Sequence, residues 1–572
     1  MLGGGGDMRS FDTDPTQVVT AERGQRVHRS ALEHTERLAR RLYEVRPGVW
    51  NLVGNGLSNQ TFIDAPEGII AIDTGESNEE MRSALADLRQ VTDRPIVAVI
   101  YSHFHYVNGT EEIFREVGHE VPVYAHEKVG FNRSRAMSEI GPSYSSGLVH
   151  QFGTTMPLDG PDGIVSVGLG IFYRNPDHHP FTGGYVPANI TWRGGETTSV
   201  AGLKVEITHA PSDADDSLTL WFPEIATCVH NIVWPVLFNV FAIRGEEYRD
   251  PQILLRGIDH VLSLGSEYLV GTHGPPIVGA DEIRRRVTGD RDSIQFMWDQ
   301  TVRGLNKGMT ADELASSIRL PDAYDDDYLT SELYGVAEHH VRQIHAGIRG
   351  WFDGDPAKLF PLEPRERATR LVEGFGGADE VARRVDAAVA ANDLRWALEL
   401  GSWLVARHDA IDEDRRRLAD VLREVGYRSA AANIRNWCIT KARDLDGSND
   451  LSRLRTHRLR EPQVLGMHPS DSLRILRVML EPDLALGIDH HVGVDFIGVD
   501  PLGIHVRNGV AVPTDGVGAT DRICLPFALW AKVLAGSVGL SAAIEAGDIT
   551  VSGSSSRVLT TLAAFENQGL RN

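Results

Sequence analysis

The sequence predicts a multidomain α/β protein: a layered sheet-and-helix domain first, an all-helical domain second and a small α+β module last. Three observations predict it. A length of 572 residues is more than one hydrophobic core organises. From about residue 49 to 280, short apolar runs alternate with turn residues and a few helical stretches. From about 281 to 440 the chain becomes rich in Arg, Ala and Leu at helical spacing.

Each element follows from its pattern. Val49-Trp-Asn-Leu-Val53, Gly68-Ile-Ile-Ala-Ile-Asp73, Ile96 to Ile100, Leu203 to Ile207 and Leu218 to Phe222 are short apolar runs bounded by turn signals, and read as strands. Between them, Glu79 to Gln90 places Met81, Ala84, Leu85 and Leu88 on one helical face. Strands with interleaved helices make a layered α/β domain, whose sites lie in the loops at strand ends. Ala378 to Ala391, Asp393 to Arg407 and Asp412 to Val425 read as stacked helical hairpins, the architecture of interaction modules. A Gly/Ser/Asp break at Asp444-Leu-Asp-Gly-Ser-Asn449 marks a linker. Beyond it, a strand near Val492 to Gly498, a turn at Asp500-Pro-Leu-Gly503 and apolar helices read as α+β.

Composition narrows the partners. Hydrophobic residues are 42% and charged residues 24%, as in ordinary globular proteins. A net charge of −22 disfavours nucleic acid, because phosphate binding needs clustered Lys and Arg. Three widely spaced cysteines, Cys228, Cys438 and Cys524, make no disulfide framework. No uninterrupted run of 18 apolar residues predicts a membrane span, and MLGGGGDMRS is not a signal peptide. The expected compartment is the cytoplasm.

The chemistry begins at Tyr101-Ser-His-Phe-His-Tyr-Val-Asn-Gly-Thr110, directly after the Ile96–Ile100 run. A His-x-His pair alone is a weak signal, since such pairs in strand-end loops are more often ordinary polar residues. The pattern gains weight because Thr208-His-Ala-Pro-Ser-Asp213, Ala226-Thr-Cys-Val-His230 and Gly271-Thr-His273 close further apolar runs. Histidines and a carboxylate at successive strand ends of one sheet domain are a ligand set for a metal. Asp177-His-His-Pro180 and His339-His340 read as surface or dimer-contact residues, and Asp215 and Asp216 as loop-shaping or solvated.

These motifs resemble the metallo-β-lactamase superfamily, whose first loop reads His-x-His-x-Asp-His and supplies ligands for two metals. Gly56-Leu-Ser-Asn-Gln-Thr-Phe-Ile63, Ile72-Asp-Thr-Gly75, Trp221-Phe-Pro223 and Ile243-Arg-Gly245 with Tyr248-Arg-Asp250 resemble its alkylsulfatase branch. In that branch a helical dimerisation domain and a sterol-carrier-like domain follow, as Phe352-Asp-Gly-Asp-Pro-Ala357 and the later composition indicate. The Gly-rich start reads as a flexible leader over residues 1–30, and the resemblance implies an αββα sandwich over residues 31–290. It further implies a helical dimerisation domain at 291–440 and a sterol-carrier-like domain at 450–572.

Carried over residue by residue, the resemblance implies metal ligands at His103, His105, Asp213 and His230. Val107 and Asn108 stand where the superfamily has Asp and His, and His230 is matched to its bridging carboxylate. Valine cannot bind a metal, and a histidine nitrogen serves one cation where a carboxylate bridges two. The expectation is therefore one divalent metal per chain: zinc, iron or manganese. Asn239, Arg244 and Tyr185 match residues that grip a sulfate group, with Tyr106 and Asn108 as further substrate-side candidates and His273 as an acid/base candidate. The implied substrate is a small organic anion with an apolar portion. Hydrolysis of an alkyl sulfate is one reading; a mononuclear non-haem iron or manganese oxygenase on the same scaffold is a second, and a non-catalytic binding or scaffold protein a third. An apolar stripe of Leu333, Val336, Val341, Ile344, Ile348 and Phe352 predicts the homodimer face.

Overall fold

A computed structural model describes residues 10–136 and 139–572 of the chain. Two sheets carry the first part. The seven-stranded sheet runs, in spatial order, Arg41–Arg46, Val49–Val53, Gln60–Ala65, Gly68–Ile72, Ile96–Ile100, Val123–His126 and Ile190–Trp192. It is antiparallel through its first four strands and parallel from Gly68–Ile72 onward. The six-stranded sheet runs Thr197–Val200, Leu203–His209, Leu218–Phe222, Thr227–His230, Tyr268–Gly271 and Ile277–Val278. Its single parallel pair sets His230 beside Gly271.

The period of two along each strand builds the layers. In Gly68–Ile72, Ile70 and Ile72 point toward the second sheet and pack with Ala98, Ile100, Val205, Leu220 and Val229. Ile69 and Ala71 point the other way, onto the helix Asn78–Leu88, whose Met81, Ala84, Leu85 and Leu88 are buried. That helix starts where Ser77 caps the Glu80 amide, with Glu79 and Glu80 in its first turn. The outer face of the second sheet, Cys228 and Leu269, is covered by Leu254, Ile258 and Val261 of the helix Pro251–Ser263. Helix, sheet, sheet and helix therefore stack as expected, and each fully buried Ile or Leu between them contributes about 1.5–3 kcal/mol.

The helices that follow include Ala378–Ala390, Leu394–Ala406 and Asp412–Arg428, close to the ranges read from spacing. Val381, Val385, Leu400, Leu404 and Val421 form their shared core. Sheets and helices together make one compact unit that runs to Asn132 and resumes from Gly147 to Leu451. The second unit comprises Arg133–Ser146 and Ser452–Asn572. It holds a five-stranded sheet, Val510–Thr514, Leu502–Arg507, His490–Phe496, Asp521–Leu525 and Thr550–Ser552, around a core of Trp530, Phe565, Val492, Ile504 and Ile523. Among the described residues no helix is long and apolar enough to cross a membrane.

Three expectations need correction. Residues 10–30 are built into the fold rather than forming a flexible leader: Val18–Thr20 pairs with Arg26–His28, and Val27 is fully buried. Residues 1–9 of the expected leader lie outside the described residues. The boundary expected at residue 290 falls inside the continuous helix Ala280–Leu305. Finally, the apolar stripe expected to await a second copy is covered within this chain from Leu333 to Ile344, while Ile348 at its far end stays exposed. Val336, Val341 and Ile344 are fully buried, and the helix Ala337–Arg349 packs on Ala280–Leu305 and Ala311–Ser317. Periodicity reveals that a face is apolar; it does not say which helix covers it.

Candidate metal and anion site

The Ile96–Ile100 strand delivers Ser102 and His103 to the end of the first sheet, where Asp73 closes the neighbouring strand in a left-handed conformation, φ 59°. Asp73 accepts the Ser102 amide at 2.8 Å and its hydroxyl at 2.7 Å. With its proton committed, the Ser102 oxygen accepts from His103 Nδ1, 2.8 Å away. This fixes the His103 tautomer and leaves the lone pair on Nε2. Burial pushes Asp73 up to about 7 and His103 down to about 3, so the imidazole is neutral.

His103 Nε2 is buried and has no hydrogen-bond partner. It lies 3.8 Å from Asp213 Oδ2, and His105 Nδ1 lies 3.1 Å from the same oxygen. His103, His105 and Asp213 offer three donor atoms within 4.8 Å of one another. Burial works against the Asp213 carboxylate, yet the facing imidazoles and Arg249 hold it well below the ordinary value. Two lone-pair donors and a carboxylate turned toward one point fit a divalent cation. Asp213 is steadied from behind, where its Oδ1 accepts Asn231 Nδ2 at 2.6 Å.

His230 does not join this group. Its Nδ1 accepts the backbone amides of Ile232 and Val233 at 3.2 and 3.3 Å, and its ring borders a small cavity with Val233, Trp234, Leu269 and His273. Strand alternation explains the miss. Cys228 belongs to the helix-covered face and Val229 to the inter-sheet face, so His230 follows Cys228 and Asn231 follows Val229. The inward residue at this strand end is Asn231, a position that the pattern could have indicated. Val107 is likewise turned away: it is fully buried among Met81, Val99 and Ile113. Asn108 is tied through its backbone, its N–H to Gly75 and its carbonyl to Gly184.

His273 borders the group from the other side. Its Nδ1 donates to the Leu57 carbonyl at 3.0 Å, and its Nε2 faces the Tyr106 hydroxyl at 3.4 Å. Burial lowers His273 to about 4 and raises the Tyr106 phenol well above its ordinary value. The Tyr106 ring meets both His103 and His273 edge-on, at 5.1 and 5.4 Å. Tyr185, by contrast, packs 6.2 Å from the Tyr101 ring on the helix-covered side of the first sheet.

A buried charge cluster adjoins His105. Glu246 Oε1 is 3.8 Å from His105 Nε2, an atom that is buried and without a hydrogen-bond partner. The same carboxylate accepts Arg244 Nε at 2.9 Å, Arg244 Nη2, and Arg249 Nη2. Burial raises the Glu246 carboxyl, but the two guanidiniums outweigh it and the net shift is downward. Arg249 also donates to the Asn239 carbonyl at 2.6 Å, while neither side-chain polar atom of Asn239 has a partner. Asn239 and His340 crowd Gly335, where a Cβ would lie 2.5 Å from Asn239 Oδ1. His178 and His340 are buried, contrary to the surface reading, and so is Asp216, whose carboxyl burial pushes up to about 7. Arg249 lies in the Tyr248-Arg-Asp250 motif but was given no role there, and Glu246 had no signal in the sequence beyond its closeness to Arg244.

Residues 53–224 match the metallo-beta-lactamase superfamily and residues 310–448 match alkyl sulfatase dimerisation. A linear primary-alkylsulfatase from a Pseudomonas species is 32% identical over 528 residues, covering 88% of this chain and 98% of that one. An (R)-specific secondary-alkylsulfatase from Pseudomonas sp. is 28% identical over 542 residues, covering 90% of this chain and 79% of that one. The solved structure of the stereoselective inverting sec-alkylsulfatase Pisa1 from Pseudomonas sp. superposes with a TM-score of 0.84 at 26% identity, over 95% of this chain and 87% of that one. The chain belongs to the alkylsulfatase family of metal-dependent hydrolases, within the metallo-β-lactamase superfamily.

Proposed function

We propose that this enzyme hydrolyses alkyl sulfate esters with one divalent metal held by His103, His105 and Asp213. The observation that carries the reading is the buried, unpartnered Nε2 of His103 turned toward the Asp213 carboxylate, beside a cluster with two arginines. A divalent metal in such a site lowers the pKa of a bound water and polarises the ester. The chain's own residues do the rest. Asp73 and Ser102 hold His103 in the ligating tautomer, and Asn231 fixes the rear oxygen of Asp213. Arg244 and Arg249 supply positive charge for the sulfate group. The Tyr106 hydroxyl stays protonated and donates to Nε2 of neutral His273, which fixes the phenol beside His103.

We assign the dimer face to the segment after Arg349, inside the range matched to alkyl sulfatase dimerisation. Trp351 is 74% and Phe360 83% exposed, with Ile348, Leu359 and Leu362 exposed nearby. Several large apolar side chains in so short a stretch mark an interface. The C-terminal unit fits the sterol-carrier-like type in having one sheet covered by apolar helices, a design suited to an alkyl chain.

The test pairs metal analysis with turnover. Protein purified from medium containing zinc, iron and manganese should hold one metal per chain and release inorganic sulfate from alkyl sulfates. Full metal loading with no sulfate released from primary or secondary alkyl sulfates of several chain lengths would sink the reading.

A further inference from the structure

Arg244 was expected among the residues that grip the substrate's sulfate group, where arginine can offer a two-point fork. In the structure that fork is already engaged. Its Nε and Nη2 both donate to Glu246 Oε1, and Arg249 Nη2 donates to Oε2 of the same carboxylate. Side chains of all three residues are nearly buried, and the cluster abuts His105 on the face opposite Asp213. The two guanidiniums and the carboxylate therefore present one net positive charge rather than two. They do so beside the metal ligands, in surroundings too dry for water to screen the difference.

We propose that Glu246 is a specificity-determining residue that sets the anion pocket to a singly charged ester head group and against a doubly charged one. The inference rests on the sulfatase reading above and says which anions that site takes. A sulfate monoester carries one negative charge at neutral pH, whereas a phosphate monoester carries nearly two. A fixed negative charge behind the pocket disfavours any anion, and by Coulomb's law it disfavours a dianion twice as strongly as a monoanion at the same distance. Geometry acts in the same direction. By holding Nε and Nη2 of Arg244, Glu246 denies a tetrahedral dianion the parallel two-point grip in which arginine is strongest. A single-charge ester needs less from the protein, because the metal and the remaining arginine charge suffice.

The experiment compares two non-substrate probes on metal-loaded protein near pH 8: octanesulfonate, a monoanion, and octyl phosphate, a dianion. Calorimetric affinities are measured for wild type, Glu246→Gln and Glu246→Asp, with metal content determined on each sample. Wild type is expected to bind octanesulfonate more tightly. Glu246→Gln should shift the ratio toward octyl phosphate by about tenfold or more at unchanged metal content. Glu246→Asp, which keeps the charge, should retain the wild-type order. An unchanged ratio in Glu246→Gln overturns the proposal, as does a wild-type preference for octyl phosphate, which needs no variant to fold. If wild type binds neither probe and releases no sulfate from alkyl sulfates, the sulfatase reading falls and this inference falls with it. If wild type turns over alkyl sulfates but Glu246→Gln does not change the ratio, only this inference is lost.

Discussion

Asn231 donates its carboxamide to Asp213 at 2.6 Å, which leaves the other carboxylate oxygen facing His103 and His105. A carboxylate in the place of Asn231 would repel Asp213 unless a second cation sat between them. The amide instead suits a single ion, and it marks the division between residues that hold the metal and residues that merely lie near it. Asp213→Asn and His103→Ala should each strip the metal. Ser102→Ala, which frees the tautomer of His103, should weaken metal binding about 10–100-fold. His230→Ala should leave metal content at wild type, because its ring nitrogen is occupied by two backbone amides. Mass spectrometry of native protein and elemental analysis check all four.

Restoring the superfamily loop by Val107→Asp should fail as a route to a second metal. Val107 is fully buried in the apolar layer under the helix Asn78–Leu88. A carboxylate there lacks partners, and the cost is about 2–5 kcal/mol of stability. Urea denaturation should show the loss while metal stoichiometry stays at one; a stable variant with two metals per chain would refute the placement.

Trp351→Asp combined with Phe360→Asp should convert a dimer to a monomer of 62.9 kDa without lowering helix content. Val341→Asp should instead unfold the helical region, since that side chain lies within the chain's own core. Sedimentation and circular dichroism distinguish the two outcomes.

Asp290 gives a pH prediction distant from the chemistry. Its carboxylate is fully buried in the helix Ala280–Leu305, neither oxygen has a hydrogen-bond partner, and burial, then Asp327, raises it well above 3.8. The folded state therefore binds a proton that the unfolded state has released, so this residue lowers stability progressively as pH rises above the unfolded value. Asp290→Asn should stabilise by about 1–3 kcal/mol at pH 8 and by progressively less toward pH 4. Thermal melts of both proteins across that range check the sign; a gain that grows on acidification would contradict it.

Much of the architecture was legible because it rests on local periodicities. Ile70 and Ile72 alternate with Ile69 and Ala71, and Met81, Ala84, Leu85 and Leu88 recur at helical spacing. His103, His105 and Asp213 were legible as strand-end donors. What was not legible depends on which way a side chain turns at a strand end, as between His230 and Asn231. Partners contributed from a distance were equally hidden: the sequence does not say that Glu246 lies against His105, 141 positions away. The stripe of Val341 and Ile344 failed for a related reason, since an apolar face reads alike whether its cover is another helix of the chain or a second copy.

The inward turn of Val107 has a consequence for how the ion comes and goes. The loop from Tyr101 to Thr110 is sealed to the helix Asn78–Leu88 by that isopropyl group, and to Gly75 by the Asn108 amide. Its shape is therefore set by dry packing when the chain folds, not by coordination afterwards. A cage of this kind does not collapse when emptied. Chelators should remove the ion and leave amide hydrogen exchange across residues 101–110 almost as slow as before, and reloading should proceed as simple capture, at a rate set by the ion shedding its water.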